Sequence, residues 1–176
     1  MSEGIQRELQ IRRAVPEDAS AIASALYESF AEYEASYTPE AFSFTVSTPE
    51  QIHDRIQEGP VWVALEGENL VGTVGVVTKG ESLYIRGMAV VPAARGSGTG
   101  RLLMERVEEF AAGQGFKRMS LSTTPFLSRA IRLYERVDFR RSPEGPHDLF
   151  GTPLFTMVKN LRSSYSETFE LNNNVG

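Results

Sequence analysis

The rhythm of hydrophobic and polar positions changes repeatedly along the chain. Leu9 to Arg13 alternates apolar and polar residues, the two-residue period of a half-buried strand. Pro16 suits the first turn of a helix, with Glu17 and Asp18 at the positive end of its dipole. Ile22, Leu26, Phe30 and Tyr33 fall near one face of that helix. Tyr37 to Ser47 holds aromatic and turn residues without a clear period, and reads as a loop or frayed helix. Thr48-Pro49-Glu50-Gln51 is a capping box. It opens a second helix that carries Ile52 and Ile56 and stops at Gly59.

Val61 to Leu65 and Leu70 to Thr78 are apolar, β-branched runs joined by Glu66-Gly67-Glu68-Asn69, which suits a hairpin. Lys79-Gly80-Glu81 turns the chain again into a long strand, Leu83 to Val91, ended by Pro92. Gly87 inside that strand marks a bulge or a close backbone approach. A helix follows from about Gly98, with Leu102, Leu103, Val107 and Phe110 inward, ending near Gly113 and Gly115. Phe116 to Ser122 reads as a strand, Ser128 to Val137 as a helix, Phe139 to Arg141 and Leu154 to Lys159 as strands. The order β-α-α-β-β-β-α-β-α-β-β predicts an α/β (mixed α+β) fold, a mixed sheet with helices on its faces. Residues 1–161 are expected to form one domain, and the polar stretch 162–176 a mobile tail.

Composition narrows the chemistry. A chain of 176 residues with 41% hydrophobic and 23% charged residues is that of an ordinary single globular domain. The absence of cysteine excludes disulfides, thiolate metal sites and a cysteine nucleophile. Two histidines make a histidine metal cluster improbable, so no metal is expected. No apolar run approaches the ~20 residues of a membrane helix. Met1 to Gln10 lacks a signal-peptide core, so a cytoplasmic location is expected. A net charge of −5 argues against nucleic acid as a partner but allows a local basic pocket.

The chemistry centres on Arg95-Gly96-Ser97-Gly98-Thr99-Gly100-Arg101, between a strand and a helix. A helix start offers unpaired N–H groups and partial positive charge, and so attracts phosphate. Glycines let the main chain approach an anion closely, and successive N–H groups can wrap a pyrophosphate. A P-loop would need a lysine where Arg101 stands, and a dinucleotide fingerprint would need glycine there.

With its flanks, Met88-Ala89-Val90-Val91-Pro92-Ala93-Ala94-Arg95-Gly96-Ser97-Gly98-Thr99-Gly100 resembles motif A of the GNAT superfamily, the acyl-CoA-dependent N-acyltransferases. Its pattern is Pro-x-x-Arg/Gln-x-x-Gly-x-Gly/Ala between strand and helix. Ala130-Ile131-Arg132-Leu133-Tyr134, followed by Phe139, is similar to a second signature of that family. Asp138 stands where glycine is frequent, and Leu127 where an asparagine often reaches the pantetheine arm. Ser128 or Thr124 would then have to cap the helix.

The resemblance implies a GNAT-type, mostly antiparallel sheet flanked by helices, and transfer of an acetyl group from acetyl-CoA to a primary amine. It implies that Met88, Ala89 and Val90 pair by main chain with the pantetheine arm, one N–H aimed at the thioester carbonyl. Arg95, Gly96, Ser97, Gly98, Thr99, Gly100 and Arg101 would bind the pyrophosphate. Tyr134 would be the general acid for the departing thiolate; by spacing alone it is a core residue sharing a face with Ala130 and Ile131. A homodimer would be in keeping with the family.

The acceptor pocket is expected from Phe30, Tyr33, Tyr84 and Arg86, with the stretch Ser142 to Pro153. His147 in that stretch is a possible second proton carrier. The acidic base that the family often places on this strand is missing: the strand offers Tyr84 and Arg86, with Glu81 just before it. The route for the amine proton is then Glu81 or, in preference to it, a water chain. The alternative reading is a non-catalytic acyl-CoA sensor on the same fold.

Overall fold

The computed structural model describes residues 8–161. The 162–176 tail, for which mobility was expected, lies outside the described residues. Strand β1 (Leu9–Arg13) pairs antiparallel with β2 (Val61–Glu66), β2 with β3 (Asn69–Lys79), and β3 with β4 (Ser82–Val90). Strand β5 (Arg118–Thr123) lies parallel to β4, and β8 (Thr152–Asn160) is antiparallel to β5. The sheet order is β1-β2-β3-β4-β5-β8-β6, with β6 at Arg140–Arg141. A short β7 (His147–Leu149) pairs with the start of β8.

Helices cover both faces because both faces of the sheet are apolar. Helix α1 (Ala19–Phe30) follows a 3-10 turn at Pro16–Asp18. Asp18 holds this entry by accepting from Arg12 Nη1 at 2.7 Å and from Val15 N at 2.8 Å. Helix α3 (Pro49–Glu58) starts at the expected capping box, Gln51 N bonding Thr48 Oγ1 and Thr48 N bonding Gln51 Oε1. Ile22, Leu26 and Ile52 pack with Val61, Val63 and Ala89 on one face. On the other face, α4 (Thr99–Gly113) and α5 (Ser128–Arg136) bury Leu103, Met104, Val107 and Tyr134 against Val74, Val76, Leu83 and Ile85. Among the described residues the only parallel pair is β4–β5, joined by α4, as a parallel connection requires.

The element order differs from expectation at two places. Pro39–Val46 is a helix, α2, capped by Thr38, whose Oγ1 accepts from Ala41 N at 3.3 Å. Only Ala41 and Phe42 are buried, too few inward positions to show a period over eight residues. The stretch expected as a loop from Ser142 holds β7, closed onto β8 by Gly151 N donating to Asp148 Oδ2 at 2.9 Å.

Strand β4 carries the expected bulge. Thr73 faces Ala89 and Gly75 faces Arg86, so Gly87 and Met88 together oppose Val74. Gly87 takes φ +62, the left-handed first position of a glycine bulge. The extra residue reverses the strand's facing. Tyr84 and Arg86 stand on the α1/α3 side, and past the bulge it is Ala89 that packs there while Met88 and Val90 turn to the α4/α5 side.

Candidate active site

The β4–β5 ladder runs only from Ser82↔Arg118 to Ile85↔Leu121. Beyond it β4 stays with β3 as far as Val90, and β5 stays with β8 as far as Thr123. The two strands therefore part and leave a wedge at their carboxyl ends, the place where open α/β sheets bind ligands. From Arg86 to Val90, β4 has no strand on its β5 side among the described residues. That free edge suits an extended amide-bearing arm, which would complete the ladder.

The glycine turn stands beside the wedge. Gly96 and Gly98 both take φ +83, and Gly98 is the residue before the first turn of α4. A Cβ at either would meet nothing within 4 Å. Packing does not demand glycine there; the left-handed backbone does, and the space before the amides is open. Gly100 is the opposite case. A Cβ there would come within 2.9 Å of Leu133 Cδ2 and 3.3 Å of Met88 Cε, so it lets α4 lie close to β4 and α5. Ser97 Oγ donates to Ala94 O at 2.6 Å and lies 3.0 Å from Thr99 Oγ1, which fixes the turn from inside. The Arg95 side chain is engaged with Glu32 and donates to Ser29 O at 3.0 Å, tying the turn to the end of α1. Arg101 is exposed and pairs with Glu105 one turn on.

Tyr134 is buried on α5 with its ring 6.1 Å from Phe139. Burial pushes its hydroxyl well above the usual phenol value, and the neighbouring phenols of Tyr37 and Tyr84 add to this. Thr123 Oγ1, at the end of β5, is fully enclosed and has no partner among the described residues. Thr124 Oγ1, the next residue along, is enclosed and without a partner among the described residues in the same way. Neither Ser128 nor Thr124 caps α5, whose first turn has no side-chain cap.

On the α1/α3 side, Arg86 Nη2 meets Glu58 Oε2 at 2.5 Å and Lys79 Nζ lies 4.9 Å over the Tyr84 ring. Arg55, from α3, has Nη1 within 3.5 Å of where a Cβ on Gly87 would be. Its signal in the sequence was a charge set between Ile52 and Ile56 on the core stripe of a helix. Phe30 and Tyr33 join an aromatic cluster with Tyr37, Phe42 and Phe126. Tyr37 stands edge-on to Phe126 at 4.9 Å and Tyr33 lies 6.2 Å from it. Thr38 ties this cluster to the β7–β8 hairpin, its Oγ1 donating to Phe150 O at 2.7 Å and its N to Thr152 Oγ1 at 3.0 Å. The end of α1 and the segment after it thus meet the β7–β8 hairpin. His147 is exposed on β7, opposite Leu154. Glu81 sits at the amino end of β4, exposed and paired with Lys117 at 3.3 Å. It lies roughly 17–20 Å along the strand from the wedge and is no candidate for the base. Among the described residues no group of three His, Asp or Glu could hold a metal, and no helix is long and apolar enough to cross a membrane.

Known proteins share sequence and fold with this chain. An uncharacterized N-acetyltransferase, YjgM, of Escherichia coli K12 is 34% identical over 138 residues, 73% of this chain and 80% of that protein. An IAA acetyltransferase of Azospirillum brasilense is 35% identical over 77 residues, 43% of this chain and 50% of its own. The PaiA N-acetyltransferase of Thermoplasma acidophilum, solved in complex with coenzyme A, superposes with a TM-score of 0.75 at 18% identity, covering 88% of this chain and 99% of its own. The family model described as Acetyltransferase (GNAT) family matches residues 23–139, from α1 through the glycine turn to Phe139. With wedge, turn and buried tyrosine in place, the chain belongs to the GNAT acetyltransferase family.

Proposed function

We propose that the chain transfers an acetyl group from acetyl-CoA to a primary amine by direct attack of the amine on the thioester. The observation that carries this reading is the parting of β4 and β5 after Ile85 and Leu121, directly beside the left-handed glycines that open α4. Acetyl-CoA supplies an acyl group already activated as a thioester. The amides of residues 96 to 100 would hold its pyrophosphate, aided by the dipole of α4. Met88 to Val90 would pair with the pantetheine arm along the free edge of β4. One N–H of Met88 to Val90 would donate to the carbonyl oxygen, where negative charge grows as the amine attacks; losing such a donor costs about 10²–10³ in rate.

The new bond is N–C and the broken bond is C–S. The amine proton leaves through water, since Tyr84 and Arg86 occupy the strand where an acidic residue would stand. Tyr134 donates to the departing sulfur. Its raised pKa keeps it protonated at every physiological pH. Full transfer to a thiolate, whose thiol is ordinarily near 8.5, would run uphill from such a phenol. Its contribution is therefore a hydrogen bond to the developing thiolate.

Calorimetry with CoA and acetyl-CoA tests binding, and CoA release against a panel of amines tests turnover. No heat with either carrier sinks the reading. Heat without turnover favours a second reading, an acyl-CoA sensor, which the arginine and tyrosine at the base position would suit.

A further inference from the structure

Arg55 is a half-buried cation without a partner. It lies on α3 between Ile52 and Ile56, and its guanidinium makes no ion pair among the described residues. The arginines elsewhere near the site are paired: Arg95 with Glu32 and Arg101 with Glu105. Burial and the adjacent Arg86 hold the Arg55 pKa below the usual arginine value. The surface around it is cationic. Lys79 Nζ lies over the Tyr84 ring, Arg86 stands two residues along the same strand, and Glu58, paired to Arg86, is the carboxylate whose charge also reaches Arg55. Such a concentration stands out in a chain whose net charge is −5.

Withdrawing a cation from water without a counter-ion is costly, so a half-buried, unpaired guanidinium is poised for an anion. The phosphates of the carrier do not supply it, because the turn that suits them opens at the start of α4, on the other side of β4. The pantetheine arm and the acetyl group are neutral. The remaining ligand is the acceptor. Arg55 Nη1 lies 3.5 Å from where a Cβ on Gly87 would be, immediately before the residues beside which the thioester would lie. An anion held there is one or two residue lengths from the reacting amine, roughly 4–7 Å. That spacing fits a small α-, β- or γ-amino acid. A guanidinium fork matches a carboxylate in shape as well as charge.

We propose that the acceptor is an amino acid or similar small amine whose free carboxylate is held by Arg55, with Arg86 beside it. This rests on the acetyl-transfer reading and adds the substrate class. The same surface repels polycationic acceptors such as spermidine.

The test measures CoA release from acetyl-CoA by the full chain with matched acceptors. These are L-amino acids, β-alanine and 4-aminobutyrate, their carboxamides, and spermidine. The acids should be used, and amidation should lower kcat/KM by about tenfold or more. Arg55→Gln should raise the KM of the acid by a similar factor, leave acetyl-CoA affinity unchanged, and erase the acid-over-amide preference. Arg55→Lys should restore part of that preference, which a packing role alone would not do. Amides or spermidine used as well as acids, or an undiminished preference in Arg55→Gln, overturns the proposal. Calorimetry of the same acids with CoA-saturated protein separates the two levels. No saturable heat from any acid, while CoA itself binds, overturns the carboxylate site alone. No heat with CoA overturns the acetyl-transfer reading beneath it.

Discussion

The two faces of β4 are built from different materials. Toward α4 and α5 the site is main chain and small side chains: the amides of the glycine turn, the free strand edge at Met88 to Val90, and one phenol. Toward α1 and α3 it is long polar side chains from separate segments, with Arg55 from α3 meeting Tyr84 and Arg86 from β4. Main-chain donors bind whatever presents phosphate and amide groups, and the residues that shape them lie next to one another in sequence. Charged side chains select by position and sign, and only folding brings these together. The first face is thus made for a ligand of fixed chemistry, the second for one that must be chosen.

The sharpest way to break this division is Gly98→Glu. A carboxylate would stand where the pyrophosphate is expected, and like charges so close cost several kcal/mol. CoA affinity should fall by more than about 10²-fold by calorimetry. Circular dichroism should stay near wild type, because a Cβ there meets nothing and the strain of the left-handed backbone is about 1–2 kcal/mol. Retained micromolar affinity would remove the turn from the site. Next in size, Tyr134→Phe should lower kcat by about 10²-fold in a CoA-release assay while acetyl-CoA affinity holds. An unchanged kcat would return Tyr134 to the core. Because its hydroxyl is held protonated, wild-type kcat should also lack a descending limb from this residue below pH 10.

The other face is sharpened by gentler changes. Glu58→Gln removes the carboxylate that answers Arg86. Glu58 is exposed, so the effect should be small, a fall of about threefold in the KM of an acidic acceptor. A rise in that KM would mean Glu58 positions Arg86 rather than competes for it. Smallest at neutral pH is the effect of Tyr37. Burial pushes its hydroxyl up to about 12, against about 10 when unfolded. The folded state holds this proton longer, so its stability is complete below pH 10 and declines between 10 and 12. Urea unfolding of wild type and Tyr37→Phe at pH 8 and pH 11 should show the tyrosine form losing more; equal losses would mean the ring is hydrated.

What could be read in advance follows the same division. The strands, α1, α3, α4, α5, the bulge at Gly87 and the motif around Gly98 depend on residues a few positions apart. Helix α2 escaped because it buries just two side chains, although Thr38-Pro39-Glu40 is a sound helix start. The β7 strand hid among three prolines and shows only in its pairing with β8. Arg55 was missed because its significance lies in Gly87, far along the chain. Glu81 was weighed as a base for its closeness in sequence to Tyr84, yet the strand's direction carries it to the wrong end.

Gly87 is also the hinge between the two kinds of recognition. By admitting one surplus residue, β4 changes phase midway, so a single continuous ribbon serves both compartments. Were Gly87 to continue the regular alternation of the strand instead of bulging, Met88 and Val90 would turn toward the acceptor and Ala89 toward α4. The donor's seat would be lost without a change to any side chain. The left-handed backbone at Gly87 is therefore as strict a requirement of the site as the identity of its neighbours.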